Sequence, residues 1–358
     1  MKKIIFYLPS LAPSGGIERI VCEIVNKLSN TYEITILVKD DCSTFYSVNA
    51  NVKLHTLDNN LKLNMKSRFL RAFYIFKNYF SSVYKLKRYL RTHKYDYIYI
   101  THPLSQLELL CASVCQDKII ISEHGAFNNY NSIYRLIKRL AYKKCKFYCI
   151  PTTWDMSFYK KLNFPVVYTP HYKSKLNYSR SSIDNKVVLN IGRFTDDKKQ
   201  LELLSLWSQI PIKDKVGWKL YIVGEGELVD QLELFITKHN LQDEVMILPP
   251  IADVERYYTQ ASIFALTSRS EGFGMVLLEA IGFGLPLISY DCPSGPRDII
   301  NINNGFLIPT GADSNFKEKL IELMQDKVLR KKLSDGAYET ALNWSDDKIT
   351  KIWEKVFK

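Results

Sequence analysis

Long apolar segments are absent from this chain: no stretch approaches the roughly 18 consecutive apolar residues that a membrane-spanning helix needs. Low-complexity tracts are absent too. The 358 residues include 7 cysteines, an odd number that argues against a disulfide framework and for a reducing compartment. We therefore expect neither a transmembrane helix nor a disulfide-stapled secreted domain.

Histidine clusters are missing beside the cysteines. Two cysteine pairs repeat at the i,i+4 spacing, Cys111 with Cys115 and Cys145 with Cys149. Because no group of histidines accompanies them, we interpret these residues as buried helical cysteines rather than metal ligands.

Acidic residues are scarce in the first half. The chain has 49 Lys+Arg and 37 Asp+Glu, a net charge of +12. Residues 1–172 hold 25 basic and 11 acidic side chains, whereas residues 173–358 hold 24 and 26. No acid occurs between Asp58 and Asp96, where ten Lys or Arg residues in segment 62–94 are interleaved with aromatic residues. This excess predicts an anionic partner: nucleic acid, a membrane surface or a phosphorylated substrate.

Short apolar runs alternate with helical patterns. The run IIFYLPSL leads through a Gly/Ser/Pro turn into a helix whose apolar residues follow the i, i+3, i+4, i+7 spacing from Ile17 to Leu28. Further strands are predicted at 34–39, 95–100 and 118–123. This alternation is typical of βαβ units with a parallel sheet.

The same pattern begins again after residue 170. The elements predicted there are strands at 187–194, 218–227, 245–250, 261–268 and 285–291, and helices at 200–209 and 227–239. The chain end is predicted to be an amphipathic helix with Ser345 as its N-cap. The sequence therefore predicts two consecutive α/β units that meet near residue 170.

Glycine-containing turns follow three of the predicted strands, where an open parallel sheet places its ligand. The first, Ser14-Gly15-Gly16, lacks the G-x-G-x-x-G spacing of a dinucleotide site. The second places Arg193 and Lys198 five residues apart, so that two cations can project toward one diphosphate. Taken alone, these two are also compatible with an ordinary turn and a solvated loop.

The third turn, SEGFGMVLLEA, carries the strongest pattern. Gly272 and Gly274 let the backbone approach an anion, and Phe273 and Gly274 open a helix whose N–H groups face it. Glu279 is predicted about two turns into that helix, where it could bind vicinal hydroxyls of a ribose or hexose. Alternatively, Glu271 caps the helix and Glu279 pairs with a surface cation.

These three turns, in this order and in two α/β halves, resemble the retaining glycosyltransferase family 4. The resemblance runs nearly end to end and is most specific over Val188–Lys198 and Ser270–Asp298. It implies the GT-B fold, with two Rossmann-like domains whose parallel sheets face a central cleft. Residues 1–170 would bind the acceptor, with the C-terminal helix 345–358 packing back on them, and residues 171–344 would bind the nucleotide-sugar.

The resemblance also implies roles on the donor side. Arg193 and Lys198 match the pair that neutralises the donor's diphosphate. Glu279 matches the ribose-binding glutamate, and Glu271 the glutamate at the hydroxyls of the donor sugar.

Two glycine turns and a histidine complete the implied site. The turn Gly272-Phe273-Gly274 matches the phosphate- and sugar-contacting turn. Gly15 and Gly16 match the loop that closes on the diphosphate. His124, in SEHG at the end of a strand, matches the active-site histidine, so the implied catalytic set is His124, Glu271, Arg193 and Lys198. His102, after another strand, is a looser match that could line the acceptor site.

The implied reaction transfers a hexose or N-acetylhexosamine from a UDP-sugar, with GDP as second choice, and stabilises the leaving diphosphate with positive groups. No cofactor beyond this donor substrate and no metal is implied. Accordingly, the adjacent acids Asp196-Asp197 and Asp346-Asp347 lie in loop or cap contexts, and no DxD-type pair is well placed for a divalent ion.

The acceptor is expected to be a polyprenyl-diphosphate-linked saccharide of a bacterial surface polysaccharide; lipid A core sugars, teichoic acid and a soluble acceptor remain alternatives. We expect segment 62–94 to dock the protein on the anionic inner face of the cell membrane. Alternatively, its aromatic residues form part of the core. Nucleic acid is not an expected partner.

Two rival functions make different demands on the sequence. A dinucleotide-dependent oxidoreductase needs a G-x-G-x-x-G turn after the first strand, which PSLAPSGGIE does not supply. A non-enzymatic nucleic-acid or membrane binder would use the basic aromatic segment but would not need the pair Glu271 and Glu279.

Overall fold

The computed structural model describes residues 1–13, 15–59, 68–127 and 132–358, with only the backbone described at 68–77 and 133. Within these residues the chain forms two compact units, Met1–Tyr172 with Asp347–Lys358, and Lys173–Asp346. Each unit is an α/β layer structure around one sheet.

A parallel sheet forms the centre of the first unit. Its strands are β1 (Lys3–Leu8), β2 (Glu33–Val38), β3 (Lys53–Thr56), β4 (Tyr97–Ile100), β5 (Ile119–Ser122), β6 (Phe147–Ile150) and β7 (Val166–Tyr168). They lie in the order β3-β2-β1-β4-β5-β6-β7, and neighbouring strands pair in parallel. The central strands β4 and β5 are buried along their whole length, as strands covered on both faces are.

Helices pack on both faces of this sheet. They are α1 (Gly16–Leu28), α2 (Arg68–Thr92), α3 (Pro103–Cys111), α4 (Ser132–Ala141) and α5 (Thr153–Lys161), with a 3-10 turn at Gln116–Lys118. Leu86 of α2, Leu109 of α3 and Tyr142 after α4 share one core with Ile5 and Tyr7 of β1. Helices α2, α3 and α4 therefore cover the same face.

The second unit repeats this architecture. Its strands are β8 (Val187–Ile191), β9 (Lys219–Val223), β10 (Val245–Leu248), β11 (Ile263–Leu266), β12 (Leu287–Tyr290) and β13 (Gly305–Ile308). Its helices are α6 (Gln200–Ser208), α7 (Val229–Lys238), α8 (Glu255–Thr259), α9 (Met275–Gly282), α10 (Pro296–Ile299), α11 (Asp313–Gln325) and α12 (Lys327–Asn343), with a 3-10 turn at Ile212–Asp214. The strands lie in the order β10-β9-β8-β11-β12-β13, all in parallel.

Each sheet has a point where the strand order reverses. In the first sheet it lies between β1 and β4, and in the second between β8 and β11. Loops that leave the carboxyl ends of such strands diverge to opposite sides and open a crevice, which is where open α/β sheets bind ligands. The α/β fold class predicted from the sequence is confirmed.

The last helix, α13 (Asp346–Val356), directly follows Ser345, and from Asp347 onward it belongs to the first unit. The indole N–H of Trp353 donates to the carbonyl of Pro170 at 3.1 Å. The Trp353 ring also meets Tyr99 of β4, with 6.2 Å between centroids. These contacts hold the chain end against the first sheet.

The structure tests the predictions about membrane spans and cysteines. Among the described residues, no helix combines the length and hydropathy of a bilayer span. The cysteine prediction is wrong in part: Cys111 ends α3 and Cys115 lies in the following loop, both exposed. Cys145 and Cys149 are buried, but in a turn and in β6 rather than on a helix.

Candidate active site

The turn after β8 carries Arg193 and Lys198 at the carboxyl edge of the second sheet. Arg193 is exposed, and within the described part of the chain its guanidinium has no ion-pair or hydrogen-bond partner. Gln200 donates from Nε2 to the Arg193 carbonyl at 3.0 Å, which fixes the backbone there. Lys198 instead pairs with Glu271, with 2.6 Å between Nζ and Oε1. One predicted cation is thus open to an anion and the other is already paired.

Glu271 lies on the turn after β11, next to β8 in the sheet. Its backbone N–H donates to the carbonyl of Pro293 at 3.2 Å, and its side chain is buried. The hydroxyl of Thr267 donates to the Lys199 carbonyl at 3.0 Å, which ties the two turns together. The alternative role of Glu271 as a helix cap is wrong, because Gly274 occupies the N-cap of α9 without any side-chain cap bond.

The turn Gly272-Phe273-Gly274 leads directly into α9. Gly274 has φ +85°, a left-handed conformation that glycine adopts without strain. Among the described residues its amide has no hydrogen-bond partner, so this N–H at the start of α9 can face an anion. The Phe273 ring packs against Trp344 at 5.7 Å between centroids, which holds the turn in place.

Glu279 lies about one turn after the start of α9, not two. It is 4% exposed, and it accepts hydrogen bonds from the hydroxyls of Tyr258, at 2.7 Å, and Ser174. The alternative in which Glu279 pairs with a surface cation is wrong, because the residue is buried.

The loop after β9 supports this site and was not predicted from the sequence. Gly224 has φ +154°, and a Cβ on it would lie 2.1 Å from the Gly192 carbonyl oxygen. Gly226 has φ +151°, and a Cβ on it would lie 2.5 Å from the Phe194 carbonyl oxygen. Only glycine lets this loop lie so close to the turn that carries Arg193. The Gly-Glu-Gly pattern directly after a strand, at 224–226, is the signal that could have revealed it.

The glycine loop of the first unit follows β1, at that sheet's reversal point. Gly15 is the N-cap of α1, and a Cβ placed on it would lie 2.3 Å from Glu18 Oε2. The Glu18 carboxylate therefore lies over the positive end of α1. At Gly16 a Cβ would meet no described atom within 4 Å. Ser14 lies outside the described residues.

His124 follows β5 with both ring nitrogens buried and without hydrogen-bond partners among the described residues. Its ring stacks on His171, with 5.7 Å between centroids and 10° between planes. Burial lowers the pKa of His124 to about 4; Glu123 opposes this change and Lys138 adds to it. The imidazole is therefore neutral at neutral pH.

Glu123, beside it, is the centre of a buried cluster that sequence reasoning missed. One carboxylate oxygen accepts from Lys138 Nζ at 2.5 Å, from Tyr159 at 2.8 Å and from Tyr148. The other accepts the backbone N–H groups of the next two residues, at 3.0 and 3.2 Å. Five donors thus hold the start of the loop that carries His124.

The sequence gives only a weak signal for Lys138. It lies three residues before Ala141, the buried last residue of α4. Helical spacing thus places Lys138 near the inward face of α4 but does not identify Glu123 as its partner.

His102 is the N-cap of α3, where its Nδ1 accepts the Leu104 N–H at 3.2 Å. This structural role accounts for its position after β4. Burial lowers the pKa of His102, and nearby Lys39 and Lys138 add to the effect. Lys39 itself pairs at 2.7 Å with buried Glu108, which also accepts from the Tyr7 hydroxyl at 2.7 Å.

The predicted site residues therefore fall into two groups. One group lies at the carboxyl edge of the second sheet and consists of Arg193, Lys198, Glu271, the turn 272–274 and Glu279. The other group lies in the first unit and consists of Gly15, Gly16 and His124. Their roles stay predictions. Within the described residues, no group of three or more His, Cys, Asp or Glu side chains is arranged to hold a metal ion.

A family match covers the second unit. Residues 177–340 match the family model described as glycosyl transferases group 1. Arg193, Lys198, Glu271 and Glu279 all lie within this range.

Curated relatives align along nearly the whole chain. The amylovoran biosynthesis glycosyltransferase AmsD of Erwinia amylovora is 27% identical over 370 residues, covering 99% of each chain. A Campylobacter jejuni α-1,4-N-acetyl-D-galactosaminyltransferase, named for a diNAcBac-PP-undecaprenol-linked substrate, is 24% identical over 362 residues, covering 99% of this chain and 98% of its own.

Solved structures share the fold. A mutant of S. aureus TarM, in complex with fondaparinux, α-GlcNAc-glycerol and UDP, superposes with a TM-score of 0.79 at 14% identity over 100% of both chains. Anabaena HepE, in complex with UDP and glucose, gives 0.75 at 16% identity over 100% of this chain and 99% of its own. The family match over residues 177–340, the relatives and the solved structures together show that this chain has the GT-B fold and is similar to glycosyltransferases along nearly its whole length.

Proposed function

We propose that this protein is a retaining glycosyltransferase that moves a hexose or N-acetylhexosamine from a UDP-sugar, with GDP as second choice, to a polyprenyl-diphosphate-linked saccharide in bacterial surface polysaccharide assembly. One observation carries the proposal. The carboxyl edge of the second sheet carries three features: the unpaired guanidinium of Arg193, the ion pair Lys198–Glu271, and the Gly274 amide, which has no hydrogen-bond partner among the described residues. A guanidinium, an ammonium and a helix N-terminus suit a diphosphate.

When the donor binds, Lys198 and Glu271 would exchange the bond between them for bonds to the donor. The diphosphate attracts the Lys198 ammonium, and a sugar hydroxyl donates to the Glu271 oxygen that Lys198 releases. Both groups are held within hydrogen-bond distance of each other beforehand, so little rearrangement is needed. Glu279 would accept ribose hydroxyls.

The transfer breaks the bond between the sugar C1 and the donor's phosphate oxygen and forms a bond between C1 and an acceptor hydroxyl oxygen. Arg193 and Lys198 stabilise the charge that develops on the leaving diphosphate. The acceptor's proton passes to a phosphate oxygen on the same face, which retains the configuration at C1. This route needs no carboxylate nucleophile and no metal. A glycosyl-enzyme adduct trapped with a fluorinated donor would contradict it.

The relatives' names support the substrate classes. AmsD is named for amylovoran biosynthesis, and the C. jejuni enzyme for a glycan on undecaprenyl diphosphate. The TarM mutant and HepE were both solved with UDP.

We place the protein at the inner face of the cell membrane through segment 62–94. Residues 62–67 of this segment lie outside the described residues. In its described part, α2 exposes Phe80, Tyr84, Arg88 and Arg91. Aromatic and cationic side chains together suit an anionic membrane surface. Replacement of Lys85, Lys87, Arg88 and Arg91 by Glu should therefore weaken flotation with anionic liposomes; unchanged binding would exclude this segment.

A donor-hydrolysis screen tests the enzymatic proposal. Purified protein is incubated with UDP- and GDP-sugars, with and without a polyprenyl-diphosphate saccharide, and release of nucleoside diphosphate is measured. We expect one UDP-sugar to be cleaved, and cleavage to accelerate with the lipid-linked acceptor. Equal acceleration by a soluble saccharide would favour a soluble acceptor, and cleavage of GDP-sugars alone would replace the donor assignment.

A further inference from the structure

A pocket of about 470 Å³ lies at the amino edge of the first sheet, opposite to the edge that carries Gly15 and His124. Its lining comes from the starts of three neighbouring strands, β1, β2 and β3, and from the end of α2. The six residues of β1 separate its two ends by roughly 17 Å. The pocket has the size of a small-molecule site and is distinct from the carboxyl edge of the same sheet.

Strand alternation brings the polar side chains of this edge to one face. Lys3 lies opposite Glu33, and Thr35 lies opposite Lys53. Because alternate residues of a strand point the same way, these four side chains and His55 share a face of the sheet. Helix α2 covers this face further along the strands. The pocket is the part of the face that α2 leaves uncovered.

Glu33 holds two ammonium groups side by side. Its Oε1 lies 2.7 Å from Lys53 Nζ, and its Oε2 lies 3.2 Å from Lys3 Nζ. Each ammonium has three N–H groups and gives Glu33 only one of them. The Lys94 ammonium has no partner within the described residues, and nearby Asp96 accepts the Lys3 backbone N–H at 2.7 Å. Three lysines against one glutamate thus leave N–H donors and positive charge for a phosphate.

Aromatic rings form the wall at the end of α2. Tyr89 and His93 stack with 4.0 Å between centroids and 9° between planes. His55 of β3 lies 5.7 Å from the Tyr89 ring and 6.0 Å from the His93 ring. Because His55 and His93 are exposed, a further planar ring can stack on this wall.

The same wall offers hydrogen-bond acceptors. His93 Nδ1 lies 3.0 Å from the Tyr89 carbonyl oxygen, and since a carbonyl only accepts, Nδ1 carries the hydrogen. Nε2 of the neutral ring is then an acceptor, and the last carbonyl groups of a helix carry partial negative charge. This end of the pocket therefore disfavours a phosphate and suits the amino group of a nucleobase.

We propose that this pocket binds a nucleoside phosphate, with the base against His55 and His93 and the phosphate against Lys3, Lys53 and Lys94. The cationic and the aromatic ends match the two halves of such a ligand, and an inorganic anion would use only one of them. A bound ligand would connect three strands with α2 and so stabilise the first unit. The inference does not rest on the proposed function, because none of these residues lies at the donor site.

Equilibrium dialysis with AMP tests the site. The wild type should bind AMP about fivefold or more tightly than ribose 5-phosphate, because the base stacks on the wall. Lys3→Ala/Lys53→Ala should weaken binding of both compounds by about tenfold or more, since it removes two charge-assisted donors. His93→Ala should lower the AMP affinity to that of ribose 5-phosphate and leave ribose 5-phosphate unaffected.

The matched control removes two lysines from the amino edge of the second sheet. Lys219 begins β9 and Lys186 directly precedes β8, so Lys186→Ala/Lys219→Ala changes the same charge at the corresponding place. This variant should bind AMP like the wild type. Circular dichroism checks that all variants are folded, which we expect because exposed ion pairs contribute little to stability.

Two further measurements separate this site from the donor site. Arg193→Ala should retain AMP binding, and Lys3→Ala/Lys53→Ala should keep donor cleavage at the wild-type rate. Loss of AMP binding in Arg193→Ala, or wild-type AMP binding in the lysine variant, overturns the inference whether or not the protein cleaves a donor. Equal affinity of the wild type for AMP, ribose 5-phosphate and inorganic phosphate overturns the nucleoside assignment, and absence of AMP binding overturns the site.

Discussion

At the carboxyl edge of the first sheet, two buried carboxylates are each paired with a lysine, whereas at the same edge of the second sheet a cation is left open to solvent. Glu123 pairs with Lys138, and Glu108 with Lys39, in each case with tyrosine hydroxyls as further donors. Arg193 has no such partner in the described chain.

The difference separates two uses of charge. A buried carboxylate with five donors is fully satisfied, so it can hold a loop but has little capacity to bind a ligand. An exposed guanidinium beside a partly exposed ion pair contributes less to stability and keeps its hydrogen bonds for an incoming anion. The first edge thus positions residues, and the second is built for binding.

The largest expected effect is the loss of stability on removing a buried charge. Glu123→Gln should lower the free energy of unfolding by about 3–5 kcal/mol, because it leaves the Lys138 ammonium buried without a counter-charge. Glu271→Gln should cost only about 1 kcal/mol, because Lys198 is partly exposed and can be solvated. Urea denaturation followed by circular dichroism measures both values.

A second substitution sharpens this contrast. In Glu123→Gln/Lys138→Met the unpaired charge is gone, so part of the lost stability should return. Equal losses for Glu123→Gln and Glu271→Gln would mean that the two edges do not differ as described.

Arg193→Ala should affect binding rather than folding. Loss of a charge-assisted bond to the diphosphate is expected to weaken UDP binding by about 1.5–3 kcal/mol, or roughly 10- to 100-fold. Titration calorimetry with UDP measures it, with Arg269→Ala as the control, since Arg269 is an exposed arginine nearby that pairs with Asp196. Unchanged affinity in Arg193→Ala would remove this residue from the site.

Replacing Glu279 should affect both ligand binding and stability. Glu279→Ala should abolish donor binding and also cost about 1–3 kcal/mol of stability, because the hydroxyls of Tyr258 and Ser174 lose their acceptor. Glu279→Gln keeps an acceptor oxygen, so its stability should stay closer to wild type while UDP binding still weakens. Wild-type UDP affinity in both variants would contradict the ribose-binding role.

The smallest effect concerns pH. Because the pKa of folded His124 is about 4 against an ordinary 6.5, the unfolded chain binds more protons between these values. Stability should therefore fall as pH decreases, by about 1 kcal/mol from pH 7 to pH 5.5 for this residue. His124→Gln should remove that part of the slope in urea midpoints measured across this range. A slope that is unchanged in the variant would show that other groups, such as His171, carry it.

Much of the candidate site could be anticipated from consecutive residues. The Arg193 turn and the turn before α9 are local patterns of glycine and charge at strand ends, and both lie at the reversal point of the second sheet. The Glu123–Lys138 pair could not be assigned in this way, because it joins a strand end to a helix 15 residues later and depends on how α4 is rotated. The same rotation decides that Leu136 and Leu140 face outward.

The sequence by itself determined the alternation of strands and helices, and with it two parallel sheets whose glycine turns lie at their carboxyl edges. These features depend on residues near one another in the chain, where periodicity and turn chemistry act directly. Only the tertiary structure decided which charges are buried together, that Glu279 is held by Tyr258 and Ser174, and which face of α4 meets solvent. Those outcomes depend on strand order and helix orientation, which bring together side chains that no local pattern connects.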